Sequence, residues 1–265
     1  MDLGLRGRRV IVTGASRGIG RAVAQTFAAE GCSLFLVARG TDGLAKAREE
    51  IAGAHDVAIE TLTCDMTRAD AAATVAAACP DADILINNAG GIMRGDLLAL
   101  DAAAWRKSWE AKVFGYIDLA RACYAQMHAR RSGVIVNIIG IGGEKVEYDY
   151  VAGSTGNAAL AGFTRALGGG SIEHGVRVVG VSPGWVETER SLSLMRGWAR
   201  ERLGAEDRWP EITATWPLAR LVKPEEVADA VVYLASARAG AISGQVLAVD
   251  LGLTARSYPP LPERR

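Results

Sequence analysis

Three stretches of this sequence hold groups able to do chemistry. The first is TGASRGIG, residues 13–20, with glycines at 14, 18 and 20 directly after an apolar run. Glycines so placed permit a tight turn and close approach of the backbone to a pyrophosphate. The helix that follows turns free N–H groups and a positive dipole end toward it. Arg17 lies in the turn and Arg39 at the end of the next apolar run, where no carboxylate stands. Two guanidinium groups there suit a ribose 2′-phosphate, which takes bidentate charge-assisted bonds; the alternative is two solvated surface arginines. The second stretch is EKVEYDYVAG, 144–153, in which Tyr150, and more weakly Tyr148, Glu144 and Lys145, can donate or accept a proton. The third is 185–216, which holds Trp185, Trp198, Trp209 and Trp216 with Leu192, Leu194 and Met195. Such a segment is either a lid over an apolar or aromatic ligand or a flap packing on its own body.

The elements that must position these groups are legible from the hydrophobic pattern. Short β-branched runs at 8–14, 33–39, 57–64, 82–88, 133–139, 176–182 and 245–251 alternate with Ala-rich helical patterns. The helical patterns fall at 18–30, 41–53, 67–79, 101–130, 151–173 and 224–236. Continuous apolar strands separated by helices predict an α/β chain. The expected fold is a single-domain, Rossmann-like, doubly wound parallel sheet of about seven strands with helices on both faces. Residues 1–253 form that domain, with the substrate flap at 185–216. Residues 254–265 form a C-terminal tail that is either frayed or docked on a neighbouring subunit.

Composition sets bounds on partners. The 265 residues are 49% apolar and 23% charged, with 30 basic residues balancing 30 acidic ones. No broad attraction to nucleic acid or membrane follows. There is no long apolar run at the N-terminus and no apolar stretch long enough to span a bilayer. Cys32, Cys64, Cys79 and Cys123 are scattered and form no metal spacing with His55, His128 and His174. No metal is expected, and the expected location is the cytoplasm, with reduced, buried thiols.

The motifs together carry a resemblance. TGASRGIG at 13–20, CD at 64–65, NNAG at 87–90, VIVNI at 134–138, ALAGFTRAL at 159–167, SPGWVET at 182–188, RLVKPEEVADAVVYLAS at 220–236 and SGQVLAVD at 243–250 resemble the short-chain dehydrogenase/reductase family. The resemblance implies NADP(H) binding. Gly14, Ser16, Arg17, Gly18, Ile19 and Gly20 would hold the coenzyme at the first turn, with Arg39 at the adenosine ribose. Asp65 and Met66 would meet the adenine, and Asn88, Ala89 and Gly90 the adenosine ribose. Pro183, Gly184, Val186 and Thr188 would meet the nicotinamide end. It also implies a homodimer or homotetramer.

The resemblance breaks where chemistry is expected. The family's tyrosine, lysine, serine and asparagine positions correspond to Gly153, Asn157, Gly140 and Lys112. Asparagine and lysine have exchanged places, so Lys112 either keeps an ammonium near the nicotinamide ribose or is an incidental helix lysine. Tyr150 lies seven residues before Asn157, a spacing that related enoyl reductases use between tyrosine and lysine. It is therefore either a proton donor reaching in from one turn earlier or an ordinary packing aromatic. Three functions stay open. One is an NADP(H)-dependent oxidoreductase with a rebuilt site (catalytic Tyr150, Lys112 and Asn157) acting on a carbonyl or activated C=C of a small apolar molecule. Another is an inactive NADP(H)-binding sensor or partner subunit. The third is a non-redox enzyme using Glu144 or Tyr150 as base.

Overall fold

The computed structural model describes residues 2–256; most of the expected tail, 257–265, lies outside the described residues. Seven strands form one parallel sheet in the order β3-β2-β1-β4-β5-β6-β7. They are β1 (Arg9–Thr13), β2 (Ser33–Ala38), β3 (Ile59–Thr63), β4 (Ile84–Asn87), β5 (Gly133–Ile138), β6 (Val176–Pro183) and β7 (Val246–Val249). Each of the seven expected strands is present; six are shorter than expected, and β6 runs one residue further, to Pro183. Alternate side chains feed two cores, as the period of two requires. Val10, Val12, Leu34 and Leu36 pack on one face with Phe27 and Val231. Ile11, Phe35 and Val37 pack on the other with Val75, Leu119 and Met127.

The first face is covered by α1 (Gly18–Ala29), α2 (Thr41–Ala54) and α9 (Pro224–Ala235), and α1 packs on α9. The second face is covered by α3 (Ala71–Ala78), α5 (Gly115–Ala129) and α6 (Val151–Ser171). Three helical expectations need correction. The third helix starts at Ala71 rather than 67. Asp65 accepts from the N–H and hydroxyl of Thr67, both at 3.0 Å, and so holds 65–67 in a turn. The pattern at 101–130 is not one α-helix: α4 (Ala102–Trp109) passes through a π-helical turn, Glu110–Phe114, into α5. The loop after β4 crowds that turn, since a Cβ on Gly90 would lie 3.1 Å from the Ala111 carbonyl oxygen. Finally, the flap is itself helical, with α7 (Glu189–Leu203) and α8 (Trp209–Thr213). Thr188 caps α7 by accepting from the Ser191 N–H, and Gly204 ends it in the left-handed conformation.

Beneath the carboxyl ends of the strands runs a buried polar chain. Asn87 Nδ2 donates to Asn137 Oδ1 at 2.9 Å, and Asn137 Nδ2 donates to Thr164 Oγ1 at 2.9 Å. These bonds fix β4 and β5 to α6, the helix that presents the candidate site. Asn137→Ala would leave the buried Asn87 amide short of an acceptor, and an orphaned buried donor costs about 1–3 kcal/mol. Urea unfolding should show a loss of that size; a change below about 0.5 kcal/mol would mean the chain is not structural.

Candidate active site

Open parallel sheets bind ligands at the carboxyl ends of their strands, where the strand order reverses. Here the order reverses between β1 and β4, and a cleft of about 810 Å³ opens there. Its lining includes Gly14, Ser16, Arg17, Gly18, Ile19, Arg39, Met66, Asn88, Ala89 and Gly90. It continues through Lys112, Gly140, Tyr150, Asn157, Pro183, Gly184, Val186 and Thr188. Of the positions that the resemblance singled out, Gly20, Asp65 and Gly153 do not line the cleft: Gly20 packs on Gly14, Asp65 holds the turn at 65–67, and Gly153 lies against the Tyr150 ring.

The half around β1 is a cradle. Gly14 and Gly18 have φ of 66° and 55°, and a Cβ on Gly20 would collide with the Gly14 carbonyl oxygen. Asn88 Nδ2 donates to the Thr13 carbonyl at 2.9 Å, while the Thr13 hydroxyl accepts from the N–H groups of Asn88 and Ala89. The first turn of α1 has no capping side chain and no acid, so its N–H groups and dipole are available to an anion. Asp65 stands behind Cys64 and Met66. The Thr67 N–H, opposed by burial and helped by the Thr67 hydroxyl and Arg39, holds its carboxyl below the usual range. Arg39 forms no ion pair among the described residues. Arg17 does not stand beside it free: its guanidinium pairs at 3.1 Å with Glu189 in the first turn of α7, an exposed contact across the cleft mouth. Volume, glycine cradle and uncapped helix start fit a dinucleotide.

The other half is built around Tyr150, which immediately precedes α6. Its ring lies back over Gly153, and a Cβ there would overlap the ring Cζ. The Asn157 amide, one turn further on, faces the phenol. Burial pushes the Tyr150 pKa up; Arg190 and Arg94 pull it down, Glu147 opposes them, and Asn157 adds a smaller lowering. Asn157 is 2% exposed, and its Oδ1 has no partner. Lys112, on the π-helical turn, donates from its ammonium to the Ile139 carbonyl. Burial, with help from Arg190, lowers its pKa to about 8. Lys112 and Asn157 thus converge from two helices on the strand end at Gly140, whose absent Cβ would be 3.5 Å from Asn157 Nδ2.

Other candidates fall away. Tyr148 is 79% exposed, Lys145 donates to the Leu253 carbonyl, and Glu144 faces Arg165 at 3.9 Å; none lines the cleft. Of the four flap tryptophans only Trp185 does. Trp198 and Trp216 pack on Trp185, with ring centroids 5.4 and 5.8 Å away, so the flap is largely packed on itself. The lining residues that sequence reasoning missed include Arg94, Glu147 and Arg190. Arg94 donates to Glu147, and Arg190 Nη2 donates to the Ile92 carbonyl at 2.8 Å. The available signal was position, since all three follow strand ends.

Comparison with known proteins covers most of the chain. Residues 14–254 match a family described as "Enoyl-(Acyl carrier protein) reductase". Galactitol 2-dehydrogenase (L-tagatose-forming) of Cereibacter sphaeroides is 36% identical over 94% of this chain and 96% of its own length. The 3-oxoacyl-acyl-carrier-protein reductase of Escherichia coli is 31% identical over 95% and 99%. L-sorbose reductase from Gluconobacter frateurii, solved with NADPH and L-sorbose, superimposes with a TM-score of 0.91 at 28% identity, covering 97% of this chain and 100% of that one. A single-substitution variant of actinorhodin polyketide ketoreductase, solved with NADPH, gives 0.88 at 32% identity, over 94% and 98%.

Two outcomes follow from the geometry. Gly153→Ala should destabilise the fold by about 1–3 kcal/mol, the usual cost of overpacking, and adding Tyr150→Ala should recover most of it in a double-mutant cycle. Additive costs would mean that the ring does not lie over Gly153. The second outcome concerns Lys112. Its folded pKa of about 8 lies below the unfolded 10.5, so its protonation opposes folding. The unfolded chain therefore holds more protons between those values, and stability rises with pH across them. Wild type should gain on Lys112→Met over that window; parallel stability curves would exclude a buried ammonium.

Proposed function

Since the chain belongs to the short-chain dehydrogenase/reductase family, we propose that it is an NADP(H)-dependent oxidoreductase whose four usual catalytic positions are replaced and whose proton donor is Tyr150. The observation that carries this reading is the ring of Tyr150 lying over Gly153 and lining the cleft. It brings a phenol to the tyrosine's place from one helical turn earlier. Family relatives solved with NADPH support the choice of coenzyme.

The roles follow from position. Backbone groups at Gly14, Ser16, Gly18 and Ile19, with the uncapped start of α1, would hold the pyrophosphate. Gly20 lets that helix approach. Arg39 would hold the 2′-phosphate, joined by Arg17 once it leaves Glu189. Met66 would border the adenine, with Asp65 holding the turn beside it; Asn88, Ala89 and Gly90 would meet the adenosine ribose, and Pro183, Gly184, Val186 and Thr188 the nicotinamide. The orphaned Asn157 Oδ1 would accept from a ribose hydroxyl, with the Lys112 ammonium close by.

When bound, the reduced nicotinamide supplies hydride to an electrophilic carbon. Tyr150 then gives its phenolic proton to the oxygen of the resulting alkoxide, or to the carbanion equivalent if the substrate is an activated C=C. Burial raises the Tyr150 pKa and so favours the protonated form that donation requires. Trp185 and Leu194 offer the cleft some apolar surface, as the expected apolar substrate needs. Arg94, Glu147 and Arg190 share the wall, and we therefore extend the substrate class to small carbonyl compounds carrying polar groups.

A second reading, a coenzyme-binding protein without turnover, draws on Gly140, which offers no hydroxyl to polarise a carbonyl. The non-redox reading loses Glu144, which lies outside the cleft. We also assign a homodimer or homotetramer: Phe114, Ile172 and the edge-strand residue Leu247 are 45%, 42% and 44% exposed. Light scattering at micromolar concentration should exclude a monomer. Among the described residues no helix is long and apolar enough to cross a membrane, and the four cysteines are free and buried, consistent with the cytoplasmic location we assign.

Calorimetry should show tighter binding of NADPH than NADH. Arg39→Ala should weaken NADPH binding about tenfold or more, as loss of a charge-assisted contact worth roughly 1.5–3 kcal/mol requires, and leave NADH nearly unchanged. Equal binding of the two coenzymes would remove the coenzyme assignment. In a screen of ketoses, cyclic ketones and 3-oxoacyl thioesters, Tyr150→Phe should lower any NADPH-dependent reduction by roughly 10²–10⁴-fold. Tight NADPH binding with no turnover of any compound would favour the second reading.

A further inference from the structure

In this site the position of the family's lysine is held by Asn157, a neutral residue, and Lys112 is directed to the Ile139 carbonyl. A buried phenol with no nearby cation is a poor proton relay, because its ionised form is strongly disfavoured. The structure supplies a cation elsewhere. The Arg94 guanidinium stacks on the Tyr150 ring at 4.9 Å and lies 5.5 Å from the rings of both Trp185 and Trp198. Its side chain is only 17% exposed, and it donates to Glu147 and, at 2.6 Å, to Asp149. The backbone reinforces this: the Gly95 N–H donates to the Asp149 carbonyl at 2.7 Å, and Gly95 forms an isolated bridge with Tyr150.

We propose that Arg94 is the positioning residue for Tyr150, holding its ring over Gly153 and standing in for the lysine that the family places one turn further on. The proposal rests on the reading of Tyr150 as proton donor. The cation–π contact fixes the ring's face. The two carboxylates fix the guanidinium, and the two tryptophans tie both to the flap, so that loops after β4, β5 and β6 meet at one side chain. The groups facing the phenol are Arg94 from the loop after β4, Arg190 from α7, Glu147 from the loop before α6 and the Asn157 amide from α6. Arg190 is exposed and bonded only to the Ile92 carbonyl, whereas Arg94 is enclosed and doubly paired. Of the two cations, Arg94 is therefore the one with a fixed relation to the ring.

The test reads Tyr150 directly and needs no substrate. The full chain is labelled with 3-fluorotyrosine, whose greater acidity brings the titration into the native range. Its fluorine resonances are followed with pH, and Tyr150→Phe identifies the Tyr150 signal. Arg94→Met should raise the Tyr150 midpoint by about one pH unit, tenfold in the ionisation constant, as loss of an adjacent opposite charge does. Arg94→Lys, which keeps the charge and loses the planar stack, should raise it by less. An unchanged or lowered midpoint in Arg94→Met with a native circular-dichroism spectrum overturns the proposal. If Arg94→Met does not fold, Arg94→Lys decides by the same criterion. Failure of Tyr150→Phe to affect turnover would instead count against Tyr150 as donor, a separate result.

Discussion

A β-carbon at position 153 and the ring of Tyr150 cannot share the same volume, and much of the site follows from that exclusion. With glycine there, the ring folds back along α6 and its hydroxyl reaches the wall that Asn157 and Gly140 complete. The segment 144–150 must approach α6 closely enough for this, which is why Glu147 and Asp149 lie where Arg94 can hold both. β4, β5 and α6 are joined through Asn87, Asn137 and Thr164, so the ring has a fixed surface to lie on.

The fold was largely legible because its strands are buried on both faces. Runs such as RVIVT and GVIVNI have no polar alternation and demand helices on either side. Most strands end a residue or more inside the expected runs, at polar flanks such as Arg8 and Arg39 and at apolar ones such as Val57 and Ile139, so side-chain type alone does not mark where the ladder stops. The π-helical turn at 110–114 was not legible, because nothing in the local sequence marks it; in the structure the Gly90 loop lies close against it. The flap helices were missed for a related reason. Residues 189–203 contain four arginines and two glutamates and bury Met195 and Ala199, a stripe too thin to stand out from a loop.

For the site, the division runs between backbone and charge. Glycines announce themselves because the conformation they permit is a property of the residue: Gly14 and Gly18 take positive φ, and Gly20 lets α1 approach the Gly14 carbonyl. Charged side chains do not. Arg94 looks like any loop arginine until the rings of Tyr150, Trp185 and Trp198 are brought round it. Arg17 looked like a phosphate ligand, and the structure gives it a competing partner in Glu189, 172 positions away. Lys112 is legible as a lysine on a helical pattern, but that its ammonium is enclosed, and so easily deprotonated, depends on burial that no spacing encodes.

Gly140 sets the shape of the wall beside Asn157. Its backbone has φ 128° and ψ 143°, a region that side-chain-bearing residues rarely enter. Any side chain placed there would strain or rewind the strand end against which Asn157 rests. The wall at this point is therefore bare backbone by construction: its peptide groups, and no side chain of residue 140, are what a bound molecule would meet.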